Sequence, residues 1–392
     1  MSAVRVGFDY HPAVTHPPGV GRYVRELVRA LVQLEDRPAI ALLDVGRGAR
    51  GFRPDELGFA IGDPRVERTT TDASQRMARA FDRLRRRGAD DRLGGVDVFH
   101  HARPFTWNVR RARQSIAVAE LPEPGSDADR ELAARLLAMD LVFVFCAAYR
   151  SRLVSQHRLD PARVVQVPVG CEHWRRALSR LEARDRPARV VVLGAIRSQR
   201  RPLAIWKAFE ILLERGHDLV LDYVAPPASP AHARARSSAP DPSWTALTSA
   251  VGRSKHASRV RWNAPPPAGV PASPRDPFET ERELPARVAR ASLLVHLSSD
   301  EGTPVTPLEA LAAGVPVVAS RIPAFEEALG DAAVLVGDDE VVREPSALAD
   351  AMERGLESLH DPIARARAEF VAREFTWQRC AQATLAAWRR LG

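Results

Sequence analysis

The chain of 392 residues is poor in cysteine, in lysine and in long apolar runs. Its three cysteines, Cys146, Cys171 and Cys380, lie far apart and lack the paired spacing of a metal site. Their odd number excludes a complete set of disulfides, so we expect a reducing compartment. No apolar run reaches the ~20 residues of a membrane-spanning helix, and no signal peptide precedes the first predicted strand. We expect a cytoplasmic protein, with any membrane contact peripheral and at the inner face.

Lysine occurs only at Lys207 and Lys255, so nearly all the positive charge comes from arginine. The formal net charge is +8 and the isoelectric point is about 10.1, which on its own would favour a nucleic-acid-binding protein. The arginines are spread along the chain, however, and no nucleic-acid-binding motif is recognisable. We therefore expect a solvated basic surface and no specific nucleic-acid site, and we leave open a weak attraction to anionic lipid headgroups.

Apolar strands alternate with helical stretches along the whole chain, a pattern typical of parallel sheets built by βαβ crossovers. The length suggests two domains. The first series of predicted strands is Val4–Phe8, Ala39–Leu43, Val96–Phe99, Ile116–Val118, Leu141–Cys146 and Val164–Val167. The second is Val190–Leu193, Leu219–Val224, Val260–Trp262, Leu293–Leu297, Val315–Ala319 and Ala333–Val336. The sequence thus predicts an α/β protein with two Rossmann-like parallel-sheet domains.

The most informative segment is Leu293–Ser320, which the sequence predicts to be a strand, a tight loop, a short helix and a second strand. Thr306 is predicted as the N-cap of the helix, Pro307 as its first residue and Glu309 as its third. Gly314 is predicted to end it. In such a unit the loop and the helix N-terminus face the C-terminal edge of the sheet, where α/β folds bind phosphorylated ligands.

Two carboxylates, Glu301 and Glu309, bracket that loop in the string EGTPVTPLEALAAGVPVV. This string resembles the donor site of the family 4 retaining glycosyltransferases, which have the GT-B fold and transfer a sugar from a nucleotide-diphosphate sugar. The resemblance implies that Glu301 meets the hydroxyls of the transferred sugar and that Glu309 holds the ribose of the nucleotide. It also places Gly302, Thr303, Pro304 and Val305 beside the donor. The residues alone leave open that Glu309 merely caps its own helix.

The resemblance extends over nearly the whole chain and implies how it is divided. Residues 1–172 would form an N-terminal Rossmann-like acceptor domain and residues 188–372 a C-terminal Rossmann-like donor domain, facing each other across a cleft. Residues 173–187 would be the hinge between them. Residues 373–392 would form a terminal helix that crosses back to the first domain.

A basic loop, GAIRSQRRP, follows the predicted strand Val190–Leu193. Relatives in the family carry a basic pair here that neutralises the leaving diphosphate, and Arg200 stands at the position of the usual lysine. Gln199 stands where an arginine is usual. Arginine can bind phosphate with two hydrogen bonds, so we expect Arg200, helped by Arg197 and Arg201, to bind the diphosphate.

A glycine-containing turn precedes the first helix, in the string GVGRYVREL. It resembles the family's G-x-G-R-Y-x-x-E-L and implies that Gly21 approaches the donor phosphate and that Gly19 lies on the acceptor side. His11 and His16 flank the turn as candidate acceptor contacts. Histidines in a loop are as often incidental, and the sequence leaves both interpretations open.

One departure from the family concerns the position after the predicted strand Ile116–Val118. The family commonly has His-Asp-Leu there, whereas this chain has Ala119, Glu120 and leucine. Glu120 keeps the charge at a catalytic position, but Ala119 cannot hydrogen-bond to the reacting sugar. Three explanations stay open: His100, His101 or His11 substitutes for the missing histidine, the acceptor differs, or activity is low or absent.

The resemblance implies retaining transfer to an acceptor hydroxyl in the synthesis of a glycan, glycolipid or glycosylated metabolite. It implies no metal and no cofactor beyond the donor substrate. Asp127 and Asp129 mimic a D-x-D metal motif by chance, and we expect both in solvent. The segment Phe105–Gln114 is predicted as a surface helix with wet arginines, or alternatively as a seat for an anionic or lipid-linked acceptor. A catalytically silent, nucleotide-sugar-binding or partner subunit is the alternative function.

Overall fold

The chain divides into two compact units, one of Met1–Gly170 with Thr376–Gly392 and the other of Cys171–Phe375. Within the described part of the chain, no helix is both long and apolar enough to cross a bilayer. Most of the predicted hinge, residues 175–186, lies outside the described residues. The computed structural model describes residues 4–15, 19–46, 63, 65–71, 73–104, 107–174, 187–194, 196–224, 242–263 and 277–391.

The first unit is built on a seven-stranded parallel sheet in the order β3-β2-β1-β4-β5-β6-β7. Six of its strands were predicted from apolar runs, and the third was not. That strand, with the sequence VERTTT, pairs only with β2 at the edge of the sheet, and none of its side chains is fully buried. A polar edge strand gives no apolar run to detect. The strands are β1 Arg5–Asp9, β2 Ala39–Val45, β3 Val66–Thr71, β4 Val98–His101, β5 Arg113–Val118, β6 Leu141–Val144 and β7 Val164–Gln166.

Helices follow β1, β3, β5 and β6 and form the crossovers that parallel pairing requires. The helix after the glycine turn buries an almost continuous apolar face that includes Val24, Leu27 and Leu31. The helices of this part of the first unit are α1 His11–Thr15, α2 Val20–Gln33, α3 Gln75–Leu84, α4 Ala89–Arg92, α5 Asp127–Leu137 and α6 Ala147–Ser155.

The second unit is built on a six-stranded parallel sheet in the order β10-β9-β8-β11-β12-β13, and all six strands were predicted. The strands are β8 Ala188–Leu193, β9 Leu219–Val224, β10 Val260–Asn263, β11 Leu293–His296, β12 Val317–Ser320 and β13 Val334–Val336. The helices are α7 Pro202–Glu214, α8 Pro242–Gly252, α9 Pro277–Ala289, α10 Val305–Ala312, α11 Pro323–Leu329, α12 Asp338–Arg343, α13 Pro345–Ser358 and α14 Pro362–Glu374. The two parallel sheets confirm the predicted α/β class with two Rossmann-like domains.

The last helix, α15 Trp377–Arg389, belongs to the first unit and packs on α2. Thr376 caps it by accepting a hydrogen bond from the backbone N–H of Arg379 at 3.2 Å. Trp388 is buried and donates its indole N–H to Ser115 Oγ at 2.9 Å. Phe370, in the preceding helix α14, is 67% exposed.

Gly170 lies where the chain leaves the first unit, and its missing side chain is a packing requirement. A Cβ atom at this position would come within 2.3 Å of the backbone nitrogen of Trp377. Such an overlap with backbone cannot be relieved by a rotamer change. Glycine at position 170 therefore allows the start of α15 to pack directly against the backbone at this position.

Candidate donor-sugar site in the second unit

The donor loop between β11 and α10 differs in detail from the prediction. The helix begins at Val305 with Pro304 as its N-cap, so Thr306 is not the cap and Pro307 is the third residue of the helix. Proline is tolerated there because the first-turn N–H groups have no partner within the helix. Glu309 is then the fifth helical residue and is too far along to cap the N-terminus, which excludes that interpretation.

The end of the same unit was predicted correctly. Gly314 follows the helix with a φ of +70°, a left-handed conformation that glycine adopts without strain. Its neighbour Val315 donates its N–H to the carbonyl of Ala310 at 2.9 Å, which closes the helix. Strand β12 then begins and fixes the direction of the donor loop.

Arg200 and Glu301 contact each other at the centre of the candidate site. Arg200 Nη1 donates to Glu301 Oε2 at 2.8 Å. His296, the last residue of β11, lies against both, with Nε2 at 2.6 Å from Arg200 Nη1 and 3.1 Å from Glu301 Oε2. His296 was not among the predicted site residues, although a histidine inside the apolar run LLVHL could have indicated a polar role there.

The electrostatics of this cluster keep Glu301 ionised. Burial opposes the charge of Glu301, but nearby His296 and Arg200 outweigh it and lower its pKa to about 2. Burial, followed by the charge of Arg200, lowers the pKa of His296, so the imidazole is neutral near pH 7. At that pH the positive charge of the cluster therefore belongs to Arg200.

Glu309 is fully buried, and its Oε1 lies 2.8 Å from Nε2 of His173. His173 belongs to a short 3₁₀ turn, Glu172–Trp174, at the start of the second unit. Its ring packs edge-on against Trp174. His173 was not among the predicted site residues. It is far from Glu309 in the chain, and a contact between such distant residues leaves no local sequence pattern.

The basic loop is held close to the donor loop by backbone and side-chain contacts. Ser299 donates its N–H to the carbonyl of Gln199 at 3.2 Å. Arg201 forms a two-point ion pair with Asp338, in which Nε lies 2.9 Å from Oδ1. Arg201 also has a φ of +49°, which a residue other than glycine adopts only when its surroundings hold it. These contacts fix the loop that carries Arg200, while Arg197 is exposed.

Of the other predicted donor residues, Gly302 and Pro304 are buried and Thr303 and Val305 are partly exposed beside Glu301. Gly21 and Gly19 lie in the first unit. Gly19 precedes α2 with a φ of 63° and is exposed, whereas Gly21 is buried within the first turn of the helix.

His11 is not an incidental loop residue. It begins α1, and its Nδ1 lies 3.0 Å from Asp44 Oδ1 at the end of β2. Asp44 also pairs with Arg68 of β3. The residue is 8% exposed, and its imidazole is engaged by Asp44. His16, the second predicted acceptor contact, lies outside the described residues.

His100 and His101, two of the suggested substitutes for the missing histidine at 119, are core residues. His100 is fully buried, with Nδ1 3.0 Å from Ser115 Oγ, and its ring packs against Phe8 and Trp388. Burial lowers its pKa to about 3, so it is neutral. His101 is also fully buried and contacts Gln114. Glu120 is exposed just beyond β5.

A buried carboxyl at the C-terminal end of β1 was also missed. Asp9 is 3% exposed, and Trp107 is one of its hydrogen-bond partners. Burial raises its pKa, although the nearby charge of Arg103 and the hydrogen bond from Trp107 act against the shift. The sequence signal for this residue was the acidic side chain that ends the otherwise largely apolar run VRVGFD.

Two predictions about polar segments are wrong. Asp129 is buried, not solvated, and its Oδ1 lies 3.1 Å from His157 Nε2; only Asp127 is exposed. The stretch 107–112 is irregular and leads into β5, so it is not a surface helix. Phe105 and the residue after it lie outside the described residues. Arg110 and Arg111 are nevertheless exposed, as predicted.

Comparison with known proteins finds similarity in the segment that carries this geometry. Residues 276–358, which contain Glu301, Glu309 and His296, match the family described as glycosyl transferases group 1. The chain is 34% identical over 119 residues to O-antigen chain mannosyltransferase B of Escherichia coli, which covers 29% of this chain and 29% of the relative. It is 37% identical over 83 residues to O-antigen chain mannosyltransferase RfbU of Salmonella typhimurium strain LT2, which covers 21% of this chain and 22% of the relative.

The fold is shared over the full length with solved structures. Anabaena Alr3699/HepE in complex with UDP superposes with a TM-score of 0.65 at 12% identity, covering 99% of this chain and 100% of that one. At such low identity the likeness shows the fold alone, and the fold is GT-B. The matched segment of the second unit is therefore similar to the group 1 glycosyl transferases, and the matches cover only 29% and 22% of the two mannosyltransferases.

Proposed function

We propose that the protein is a retaining glycosyltransferase of family 4 that moves a hexose from a nucleotide-diphosphate sugar to an acceptor hydroxyl. The observation that carries the proposal is the Arg200–Glu301 pair, with a 2.8 Å hydrogen bond, in a loop held by His296. The mannosyltransferase names of two relatives and the UDP bound to a structural neighbour support a nucleotide-sugar donor.

Some residues of the site would stabilise charge, and others would orient the donor. Negative charge builds on the leaving diphosphate as the bond from the sugar to it breaks, and the Arg200 guanidinium is placed to bind that charge, with exposed Arg197 as a second cation. Ionised Glu301 accepts hydrogen bonds from the hydroxyls of the transferred sugar. Glu309, positioned by His173, accepts hydrogen bonds from the ribose.

In this mechanism the acceptor oxygen attacks the face from which the diphosphate departs, and a phosphate oxygen of the leaving group takes the acceptor proton. The anomeric configuration is therefore retained. The protein supplies orientation and electrostatic stabilisation instead of a nucleophile. No metal is required in this scheme because arginine and the backbone N–H groups of the donor loop neutralise the phosphates.

The intact cluster favours an active enzyme over a silent binding subunit. Perturbed pKa values are common at functional sites, and here His296 and Arg200 lower the pKa of the buried Glu301 carboxyl. Ala119 does not remove a group from this cluster, since the cluster lies wholly in the second unit.

A combined binding and turnover screen tests the proposal. Thermal shift and donor hydrolysis would be measured with UDP-, GDP-, ADP- and dTDP-sugars, including those that carry mannose, for the native protein and for Glu309→Ala. We expect one donor to stabilise the native protein, to stabilise Glu309→Ala less, and to be hydrolysed slowly. Stabilisation without hydrolysis or transfer to any acceptor would instead support the silent subunit. Once an acceptor is found, NMR of the product's anomeric proton distinguishes retention from inversion.

A further inference from the structure

Helix α3 presents three large apolar side chains to solvent. Met77, Phe81 and Leu84 have exposed fractions of 65%, 46% and 83%. Their spacing of four and three residues places them along one side of the helix. Ala78 and Asp82, on the opposite side, are buried and attach the helix to the first unit. We call the exposed row of Met77, Phe81 and Leu84 the α3 face; contiguous apolar surface of this kind marks an interaction site.

Arginine surrounds the α3 face. Residues 75–87 contain six arginines and a single carboxylate, that of Asp82. Asp82 is neutralised on the buried side by Arg92, whose Nε donates to its two oxygens at 2.9 and 2.8 Å. The guanidinium of Arg85 lies over the ring of Phe81 at 4.3 Å from its centroid. The exposed arginines of this stretch are Arg76, Arg83, Arg85, Arg86 and Arg87.

A neighbouring segment extends the same positive surface. The Nη1 atom of Arg110 donates to the backbone carbonyl of Arg86, and Asn108 Nδ2 donates to that of Arg87 at 3.4 Å. Exposed Arg110 and Arg111 therefore lie beside the C-terminal end of α3. Asp90, the nearest carboxylate of this segment, is buried and accepts backbone N–H bonds, so it does not offset the surface charge.

We propose that the α3 face docks on an anionic phospholipid surface, with Met77, Phe81 and Leu84 entering the boundary between headgroups and acyl chains. The surrounding arginines bind the lipid phosphates. An apolar row flanked by guanidinium groups is the arrangement that anionic interfaces select, because the apolar side chains partition while the cations stay at the headgroups. The inference is independent of the proposed function, since it concerns only the surface of the first unit.

Two other occupants fit this face less well. A second copy of the chain would bring two arginine clusters together, and like charges in contact oppose association. A nucleic acid would attract the arginines but would offer no apolar phase to Leu84, which is the most exposed of the three apolar residues. Only an anionic interface complements the charge and the apolar row together.

Vesicle co-sedimentation tests the proposal with the full chain. Vesicles of phosphatidylcholine mixed with phosphatidylglycerol would be compared with vesicles of phosphatidylcholine alone. We expect binding to the mixed vesicles only. Leu84→Ser should lower this binding about tenfold, because it removes an apolar side chain from the interface. The pair Arg83→Gln and Arg86→Gln should each lower it about fivefold. The matched controls are Phe370→Ser and Arg367→Gln on exposed positions of α14, which should bind as the native protein does.

An environment-sensitive fluorophore separates insertion from simple electrostatic adhesion. All three native cysteines are buried, so Leu84→Cys gives a single accessible thiol for labelling. The emission should shift to the blue when mixed vesicles are added, whereas a label at Phe370→Cys should not respond. Circular dichroism of each variant confirms that the fold is retained.

Several results would overturn the proposal. The native protein could bind equally to both vesicle types, Leu84→Ser could bind as strongly as the native protein, or the emission of a label at position 84 could stay unshifted when mixed vesicles are added. A concentration-dependent dimer abolished by Leu84→Ser, with no vesicle binding, would assign the α3 face to self-association. Equal loss of binding with the control variants on α14 would show that adhesion is a property of the whole basic surface.

Discussion

Arg200 donates a hydrogen bond to Glu301 at 2.8 Å, and these two residues are the ones proposed to bind opposite ends of the bond that breaks. The guanidinium would contact the departing diphosphate, and the carboxylate would contact the sugar that is transferred. Before the donor arrives, each neutralises the other, which offsets part of the cost of burying both charges. When the donor binds, the guanidinium pairs with the diphosphate, and the carboxylate accepts hydrogen bonds from the sugar hydroxyls.

Arg200→Gln should lower kcat by about 10²–10³-fold, because it removes the cation that meets the charge on the leaving group. Arg197→Gln is the matched comparison. Its side chain is exposed and outside the cluster, so we expect a smaller loss. Steady-state kinetics with the identified donor decides between them. A larger loss in Arg197→Gln would show that Arg197, not Arg200, carries the phosphate interaction.

Acid should destabilise the native protein more than it destabilises Glu301→Gln. The pKa of Glu301 falls from its usual 4.5 to about 2 in the folded chain, so its contribution to stability is complete above 4.5 and is lost as the pH falls toward about 2. The difference in melting temperature between the two proteins should therefore shrink across that window. A difference that stays constant with pH would mean that Glu301 is not held ionised by its neighbours.

Protonation of His100 also contributes to the loss of stability in acid, in both proteins. Its pKa is lowered from 6.5 to about 3 by burial, so the unfolded chain takes up a proton that the folded chain refuses as the pH falls below 6.5. Stability then declines across that wider window in both proteins. Comparing the native protein with Glu301→Gln cancels this shared decline.

His173→Asn should raise KM for the donor more than it lowers kcat. Its imidazole lies 2.8 Å from Glu309, which is proposed to bind the ribose and not the reacting atoms. Loss of the contact would let Glu309 adopt other rotamers, at a cost of about 1–2 kcal/mol of donor binding, or roughly 5–30-fold in KM. His360→Asn, on an exposed histidine of the same unit, is the control. A fall in kcat alone would place His173 nearer to the chemistry.

Trp388→Phe should lower the free energy of unfolding by about 1–3 kcal/mol, because Ser115 Oγ loses a buried donor. Ser115 links Trp388 to His100, which in turn lies 3.4 Å from the hydroxyl of Tyr23. The smaller ring also leaves a cavity among Phe8 and Phe143, which adds to the cost.

Denaturant unfolding monitored by circular dichroism measures this change. Trp262→Phe provides the control, because that indole is 37% exposed on the edge strand β10 and its loss should change stability little. Equal destabilisation by both variants would show that the buried hydrogen bond to Ser115 contributes nothing specific.

Sequence patterns predicted the parts of the fold that are locally apolar. Twelve of the described strands were predicted, most of them from apolar runs such as VVVL in β8, and burial on both faces of a parallel sheet is what makes such runs recognisable. The donor segment was recognised because its loop, helix and glycine stop follow one another within a short stretch. Its helix start was misplaced by two residues, since a proline is tolerated anywhere in the first turn.

The parts that could not be predicted depend on contacts between distant residues. His173 and Glu309 meet only because the start of the second unit folds against α10, and no local pattern records that. The polar edge strand Val66–Thr71 had no apolar signal. Phe370 is 67% exposed in α14, which packs on α10, whereas Trp388 is 1% exposed in α15, which packs on α2, so the burial of each aromatic residue depends on tertiary contacts.

The separation of α15 from the rest of its unit has a consequence for synthesis. The first unit contains the earliest strands to leave the ribosome, but the helix that covers Ser115 and His100 is made only after the entire second unit. Until then, the rings of Phe8 and Phe143 lack the cover that Trp388 gives them. The first unit is therefore incomplete during elongation, and a chaperone that shields these rings would act on a state that every copy passes through.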